Sequence, residues 1–240
     1  MLQIELILSP LLYDGRQTQH PHAVVAVDIL RATSAICAAF TAGAQSVVPL
    51  DSLEALASFR KMGFTLAAER DGKKVDGATC GNSPTEYLTM DLHGQRLAYS
   101  TTNGTRSILC ASDAARVYIG AFANLSALTT RIAADTPTLP LVILCSGWKG
   151  DPCIEDTLFG GALIDALRHH SDVQLLGDAA TMAETLWQST RHDLAAYCQQ
   201  ASHVHRLQRL GYQRDIDWAL RPDTCPLVPI YQVTSQSISL

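Results

Sequence analysis

No apolar run in the 240 residues approaches the roughly 18 needed to cross a bilayer, so no transmembrane helix is expected. The opening Met-Leu-Gln-Ile-Glu-Leu-Ile-Leu also lacks the basic start and small-residue cleavage site of an export signal, which makes the cytoplasm the expected location. Charge is sparse, at 17% of residues, and there is no basic surplus. A net charge of -5 gives no general attraction to nucleic acid or to an acidic membrane, although a local basic pocket can still hold a small anion. The seven cysteines at 37, 80, 110, 145, 153, 198 and 225 form no CxxC pair and no repeated spacing, which points to reduced thiols in a reducing compartment. Cys145 and Cys153 bracket a glycine-rich loop, but no local histidine makes either a nucleophile. Three phosphate and acyl-transfer fingerprints are missing as well: Gly-x-Gly-x-x-Gly, a loop ending in Gly-Lys-Ser/Thr, and Gly-x-Ser-x-Gly. Nicotinamide enzymes, P-loop enzymes and serine hydrolases are thereby disfavoured.

What is present is a strand and helix cadence in a chain long enough to bury a sizeable core. Leu2 to Leu8 reads as a strand, followed by a polar connection through Asp14-Gly15 to Pro21. Val24 to Asp28 reads as a second strand, running out into a loop carrying Arg31 and then a helix, with Thr33 and Ser34 as its caps and an end near Gly43. Ser46 to Leu50 and Phe64 to Ala68 continue as strands, with Asp51 and Glu54 as a capping box for the helix bearing Leu53, Leu56, Phe59 and Met62. The stretch from Glu69 to Pro84 turns polar and glycine-rich and reads as a loop.

A second unit opens at Arg96 and resembles the first at an offset of 72: Ala26 with Ala98, Thr33 with Thr105, Ile36 with Ile108, Val47 with Ile119. Leu141 to Cys145 is a further strand, and a helix starting at Ile154 carries Glu155 and Asp156 in its first turn. Asp178 to Thr190, His192 to Gln200 and Ser202 to Leu210 read as helices; Leu227 to Val233 reads as a last strand, for which Pro226 and Pro229 argue an edge or irregular placement. The expected fold is a layered α/β/α arrangement with a mixed sheet, two related βα units compatible with duplication, and a helical C-terminal portion. The expected units are 1–90, with the glycine-rich loop, and 91–240, packed separately or as one domain.

Asp28, Arg31 and a helix start converge where open α/β sheets present ligand-binding groups, and the natural guest is an anion with a metal beside it. Arg31 and Arg106 offer planar forks for phosphoryl oxygens, and the Gly104 amide adds a dipole. Arg70 and Lys149 enlarge the positive end, while Lys73 and Lys74 read as surface. Asp28, Glu69, Asp76, Glu155 and Asp156 supply the hard oxygens that suit Mg²⁺, with Asp28 the first candidate for ligand or general base. His169-His170 and His203-Val204-His205 cannot direct adjacent rings to one helical face and are expected to be satisfied or exposed rather than metal-bound.

Several separated segments resemble the 2-phosphosulfolactate phosphatase family: Val27-Asp28-Ile29-Leu30-Arg31-Ala32-Thr33-Ser34, Glu69-Arg70, Gly81-Asn82-Ser83-Pro84, and Thr101-Thr102-Asn103-Gly104-Thr105-Arg106. Gly147-Trp148, Glu155-Asp156, Gly211-Tyr212, Asp215-Ile216 and Val228-Pro229-Ile230-Tyr231 continue the likeness in order along most of the chain. The resemblance implies a Mg²⁺-dependent phosphomonoester hydrolase acting on 2-phospho-3-sulfolactate in coenzyme M biosynthesis. It places Asp28, Arg31, Glu69, Arg70, Asn82, Asn103, Arg106, Glu155 and Asp156 around the pocket. In that picture Asp28, Arg31, Asn103 and Arg106 serve the chemistry, while Arg70, Asn82, Ser83, Thr102, Gly104, Thr105 and Lys149 bind a small phosphorylated anion. Asp28, Glu69, Glu155 and Asp156 hold the metal. Three alternatives stay open: a phosphatase for another small phosphorylated acid, a non-hydrolytic module for a phosphorylated metabolite, and a metal-dependent hydrolase for a phosphate-free anion. No nucleic acid or membrane partner is expected, and a homo-oligomer is compatible with the sequence.

Overall fold

The computed structural model describes residues 1–13, 21–101, 104–135 and 139–240, so the expected Asp14-Gly15 turn lies outside the described residues. In chain order the strands are β1 (Leu2–Ile7), β2 (Ala23–Val27), β3 (Ser46–Pro49), β4 (Thr65–Arg70), β5 (Lys73–Lys74), β6 (Arg96–Ser100), β7 (Arg116–Gly120), β8 (Leu141–Cys145), β9 (Val173–Leu176), β10 (Ile230–Gln232) and β11 (Ser237–Ser239). The helices are α1 (Pro10–Tyr13), α2 (Ala32–Thr41), α3 (Leu56–Lys61), α4 (Pro84–Tyr87), α5 (Gly104–Cys110), α6 (Leu125–Asp135), α7 (Ile154–Arg168), α8 (Asp178–Thr190), α9 (Leu194–Cys198), α10 (Ser202–Arg209) and α11 (Gln213–Ala219).

The strands join in one mixed sheet of order β5-β4-β6-β3-β11-β10-β7-β2-β8-β1-β9. β9, β1, β8, β2 and β7 are mutually parallel, as are β3, β6 and β4, and the antiparallel β10–β11 hairpin joins the two blocks. Exchanging β2, β3 and β4 with β6, β7 and β8, and β10 with β11, leaves the run from β4 to β8 unchanged when read from the other end. The two related units cross between the blocks, β2–α2–β3 in one direction and β6–α5–β7 in the other. This is the relation the offset of 72 anticipates, and it interleaves strands from 1–90 and 91–240 in a single sheet.

The layering follows from side-chain alternation. β2 reads as an unbroken apolar run, yet its period of two sends Ala23, Val25 and Val27 into one core and Val24 and Ala26 into another. The first core packs α7, α8, α10 and α11 against that face; the second gathers α2 and α5 between the blocks, with Ile36, Phe40 and Ile108 against Val117, Leu144, Leu97 and Tyr99. A small third core places Leu56 on Leu66, Ala68 and Ala98.

Three local expectations are corrected. Ala55, not Asp51, precedes α3, and no side chain caps it, because the chain turns through Leu53–Ala55 before the helix begins. The Glu69–Pro84 stretch is not all loop: β4 extends to Arg70 and returns as β5 through Asp71-Gly72, both at positive φ as a two-residue hairpin requires. Of the two placements expected for the last strand, the edge is overturned: residues 227–229 are irregular, and the short β10 after them lies inside the sheet, since Pro226 and Pro229 precede the paired residues Ile230 to Gln232 and remove no ladder bond from them.

Candidate active site

β2 ends at Val27 and delivers Asp28 to the start of α2. Thr33 and Ser34 do not cap the helix as expected. The Thr33 hydroxyl donates to the Asp28 carbonyl at 2.9 Å and accepts from the Asp28 amide at 3.0 Å, and Ser34 Oγ donates to the Ile29 carbonyl at 2.5 Å. Both hydroxyls therefore fix the loop instead of the helix end. Gly104, the first residue of α5, meets this loop so closely that a Cβ there would lie 2.0 Å from the Ala32 Cβ and 2.7 Å from Asp28 Oδ2. Ala32 and Gly104 are counterparts at the offset of 72, so the two related helix starts touch each other beside Asp28. Gly104 is thus a packing requirement of the site.

Arg31 is buried, and both terminal nitrogens of its guanidinium are held. Nη1 donates to the Asn82 carbonyl at 3.0 Å and to Asp215 Oδ2 at 3.3 Å, while Nη2 donates to the Gly72 carbonyl at 3.2 Å. The Tyr212 ring lies 4.1 Å from the guanidinium carbon, a cation–π contact that fixes its plane. Nε is buried with no hydrogen-bond partner. Asp215 also accepts from Ser83 Oγ at 2.8 Å and from Thr85 Oγ1, so one carboxylate on α11 ties Arg31 to the Asn82–Thr85 corner. Asn82 accepts from the Tyr99 hydroxyl and donates to Glu69 Oε2 at 3.5 Å, while Glu69 Oε1 accepts the Gly72 amide.

The opposite wall starts at the end of β8. Trp148 and Asp151 exchange backbone hydrogen bonds of 2.9 and 3.0 Å around Lys149 and Gly150, both at positive φ, a tight turn that presents the indole. The Trp148 ring lies nearly parallel to His203, 10° apart with centroids at 6.4 Å. His203 Nδ1 lies 2.9 Å from Glu155 Oε1; both side chains are buried, and Glu155 Oε2 has no hydrogen-bond partner. Donor atoms of Cys153, Glu155 and His203 all lie within 4.8 Å of one another. Asp156 directs Oδ1 to the Ile29 amide at 2.9 Å and Oδ2 to the Gly147 amide at 3.1 Å, bracing the Asp28 and Trp148 loops together.

Asp28, Arg31, Glu69, Asn82, Thr101, Trp148, His203 and Arg206 line one small polar cleft. Burial pushes the Asp28 carboxyl up to about 6; the Glu155 and Glu69 charges act in the same direction, and His203 and the Ala32 amide oppose them. Burial, then the Glu155 and Asp28 charges, hold Asp156 well above the usual carboxylate range. The Cys153 thiol is also pushed far up by burial and by the neighbouring acids, so it is neutral.

The structure gathers Asp28, Arg31, Glu69, Asn82 and Glu155 and places others elsewhere. Arg70 is half-buried, its guanidinium directed at the Glu69 carbonyl and Ser100 Oγ. Ser83 caps α4 through the Glu86 amide, and Thr105 bonds to Thr101. Arg106 and Lys149 are exposed, and neither lines the cleft. Lys73 and Lys74 are surface residues. Thr102 and Asn103 lie outside the described residues. Sequence reasoning missed the roles of His203, Arg206, Asp215 and Tyr99. Only the spacing of His203 and Arg206, three apart on a short helix, was available as a signal that they share a face.

The model of the 2-phosphosulpholactate phosphatase family matches residues 11–234. The probable 2-phosphosulfolactate phosphatase of Prochlorococcus marinus (strain MIT 9303) is 35% identical over 224 residues, 90% of this chain and 92% of its own. Proteins of the same description from Caldanaerobacter subterraneus subsp. tengcongensis and Thermotoga petrophila are each 32% identical, over 86% and 85% of this chain and 86% and 87% of theirs. With these matches running through β2, α2, α7 and the C-terminal helices that build the cleft, the chain belongs to the 2-phosphosulfolactate phosphatase family, a family of phosphomonoester hydrolases.

Proposed function

We propose that the cleft hydrolyses 2-phospho-3-sulfolactate with water to 3-sulfolactate and inorganic phosphate, with Mg²⁺ bound, as the cytoplasmic step that coenzyme M biosynthesis requires. The observation that carries this reading is the placement of buried Asp28 in one cleft with His203, which the buried Glu155 carboxylate holds from behind, and with an Arg31 whose Nε has no hydrogen-bond partner.

The donor set fits a hard cation. Asp28, Glu69 and Glu155 offer carboxylate oxygens, Glu155 Oε2 is unpartnered, and the neutral Cys153 thiol is a weak ligand. Asp28 and Glu155 would hold the ion. When bound, it neutralises phosphoryl charge and lowers the pKa of a water molecule.

The protein's own groups supply the rest. Arg31, fixed by Asp215, Asn82 and Tyr212, keeps its Nε–H without a protein partner and so offers it to a phosphoryl oxygen. Glu155 Oε1 orients His203 through Nδ1, which leaves Nε2 as the basic nitrogen, able to take a proton from the attacking water. Asp28 is ionised above about pH 6.

Phosphate release from 2-phospho-3-sulfolactate, assayed with Mg²⁺ and again with EDTA, tests the reading. Turnover that EDTA abolishes and Mg²⁺ restores supports it; binding of the substrate without release under either condition overturns it.

A further inference from the structure

The substrate proposed above carries acidic groups beyond its phosphate, and the residues expected to receive them, Arg70 and Lys149, do not line the cleft. Arg206 does. It sits on α10, three residues after His203, so that both side chains reach the same wall. Its guanidinium carbon lies 5.4 Å from the centre of the Trp148 ring, and among the described residues it has no hydrogen-bond or ion-pair partner. A guanidinium held on an aromatic face keeps its in-plane N–H donors available for a planar or tetrahedral anion.

Its relation to Arg31 sets the spacing. Arg31 Nη2 donates to the Gly72 carbonyl, while Arg206 Nη2 would lie 3.2 Å from a Cβ on Gly72. The two guanidinium groups flank a single residue. Arg31 is ion-paired with Asp215, and Arg206 has no ion-pair partner among the described residues, so its guanidinium stands unpaired in the cleft it shares with Arg31. Gly72, at φ +84, is the residue whose missing side chain makes room for this approach.

Resting on that phosphate position, we infer that Arg206, seated on Trp148, is the specificity-determining residue that binds the non-transferred acidic group, sulfonate or carboxylate, of the substrate. The subsite then selects small phosphomonoesters carrying a second anion over those with neutral tails.

Calorimetric titration of the Mg²⁺-loaded protein with 3-sulfolactate and, separately, with inorganic phosphate tests this independently of turnover. Arg206→Gln is expected to weaken 3-sulfolactate by about 10- to 100-fold, the value of a charge-assisted hydrogen bond, and to leave phosphate within about 3-fold. Arg206→Lys, which keeps the charge and loses the fork, is expected to fall between wild type and the glutamine variant, and it decides the matter alone should Arg206→Gln not fold. Equal weakening of both ligands, no change in either, or a wild type that binds phosphate but not 3-sulfolactate overturns the inference. Absence of phosphate release by wild type would instead count against the hydrolytic reading and leave the binding ratio to decide this one.

Discussion

Replacing Asp28 with asparagine is expected to stabilise the metal-free protein while removing its activity. In the folded chain the Asp28 carboxyl titrates near 6, against an ordinary value of 3.8. Between those values the folded protein binds a proton that the unfolded chain has released, so stability falls as pH rises through the window and is lowest above it. The difference corresponds to about 3 kcal/mol at neutral pH. The side-chain amide of the Asp28→Asn variant carries no charge to bury, but it loses the charge on the bond from the Ala32 amide, worth about 1 kcal/mol. A net gain of about 2 kcal/mol is therefore expected at pH 7.5, or about 4–8 °C in Tm for a chain of this length, and none near pH 4. The assay is urea or thermal unfolding of both proteins in EDTA at pH 4 and pH 7.5. Asp156 titrates in both and largely cancels from the comparison. A variant less stable than wild type at pH 7.5, or a pH dependence identical in the two, refutes the claim that burial and neighbouring acids strain this carboxylate.

Removing one partner of the buried Arg31–Asp215 pair, as in Asp215→Ala, should cost about 3–5 kcal/mol in unfolding free energy and raise KM, since Arg31 then loses its anchor. Loss confined to stability, with kinetics unchanged, argues against the anchoring role. Gly104→Ala should be destabilised by about 1–3 kcal/mol and lose turnover, because the new methyl meets both Ala32 and Asp28; thermal unfolding and phosphate release measure the two effects. Six of the seven cysteines are buried and Cys110 is half-buried, so a native thiol titration should detect Cys110 first, and the full count should react only in denaturant. Rapid reaction of all seven in the native protein contradicts the burial described.

The elements that sequence reading reached are those fixed by local pattern. Val24 to Val27 is apolar on both faces because β2 is covered on both, and Ile154 opens a helix with two acids in its first turn. The matches at an offset of 72 reappear as a strand order that is symmetric about the C-terminal hairpin. What escaped was decided by contacts distant in sequence. The partner that fixes Arg31 stands 184 residues away on α11, and His203 is drawn into the cleft by Glu155, 48 residues before it. Thr33 and Ser34 had the right chemistry for caps, but carbonyls of the Asp28 loop took their hydroxyls. Arg70 and Lys149 had the right charge, but the Arg70 guanidinium is taken by the Glu69 carbonyl and Ser100, and Lys149 Nζ lies 5.1 Å from the centre of the Trp148 ring. A spacing rule reports which residues share a face; it does not report which buried group the face will meet.

The most direct test of Asp28 as the centre of the site is steady-state turnover of 2-phospho-3-sulfolactate by wild type and Asp28→Asn, both shown to be folded and supplied with saturating Mg²⁺. The arrangement described predicts Mg²⁺-dependent turnover by wild type and a fall of about 10²-fold or more in kcat for the variant. A variant that turns over at the wild-type rate would contradict it.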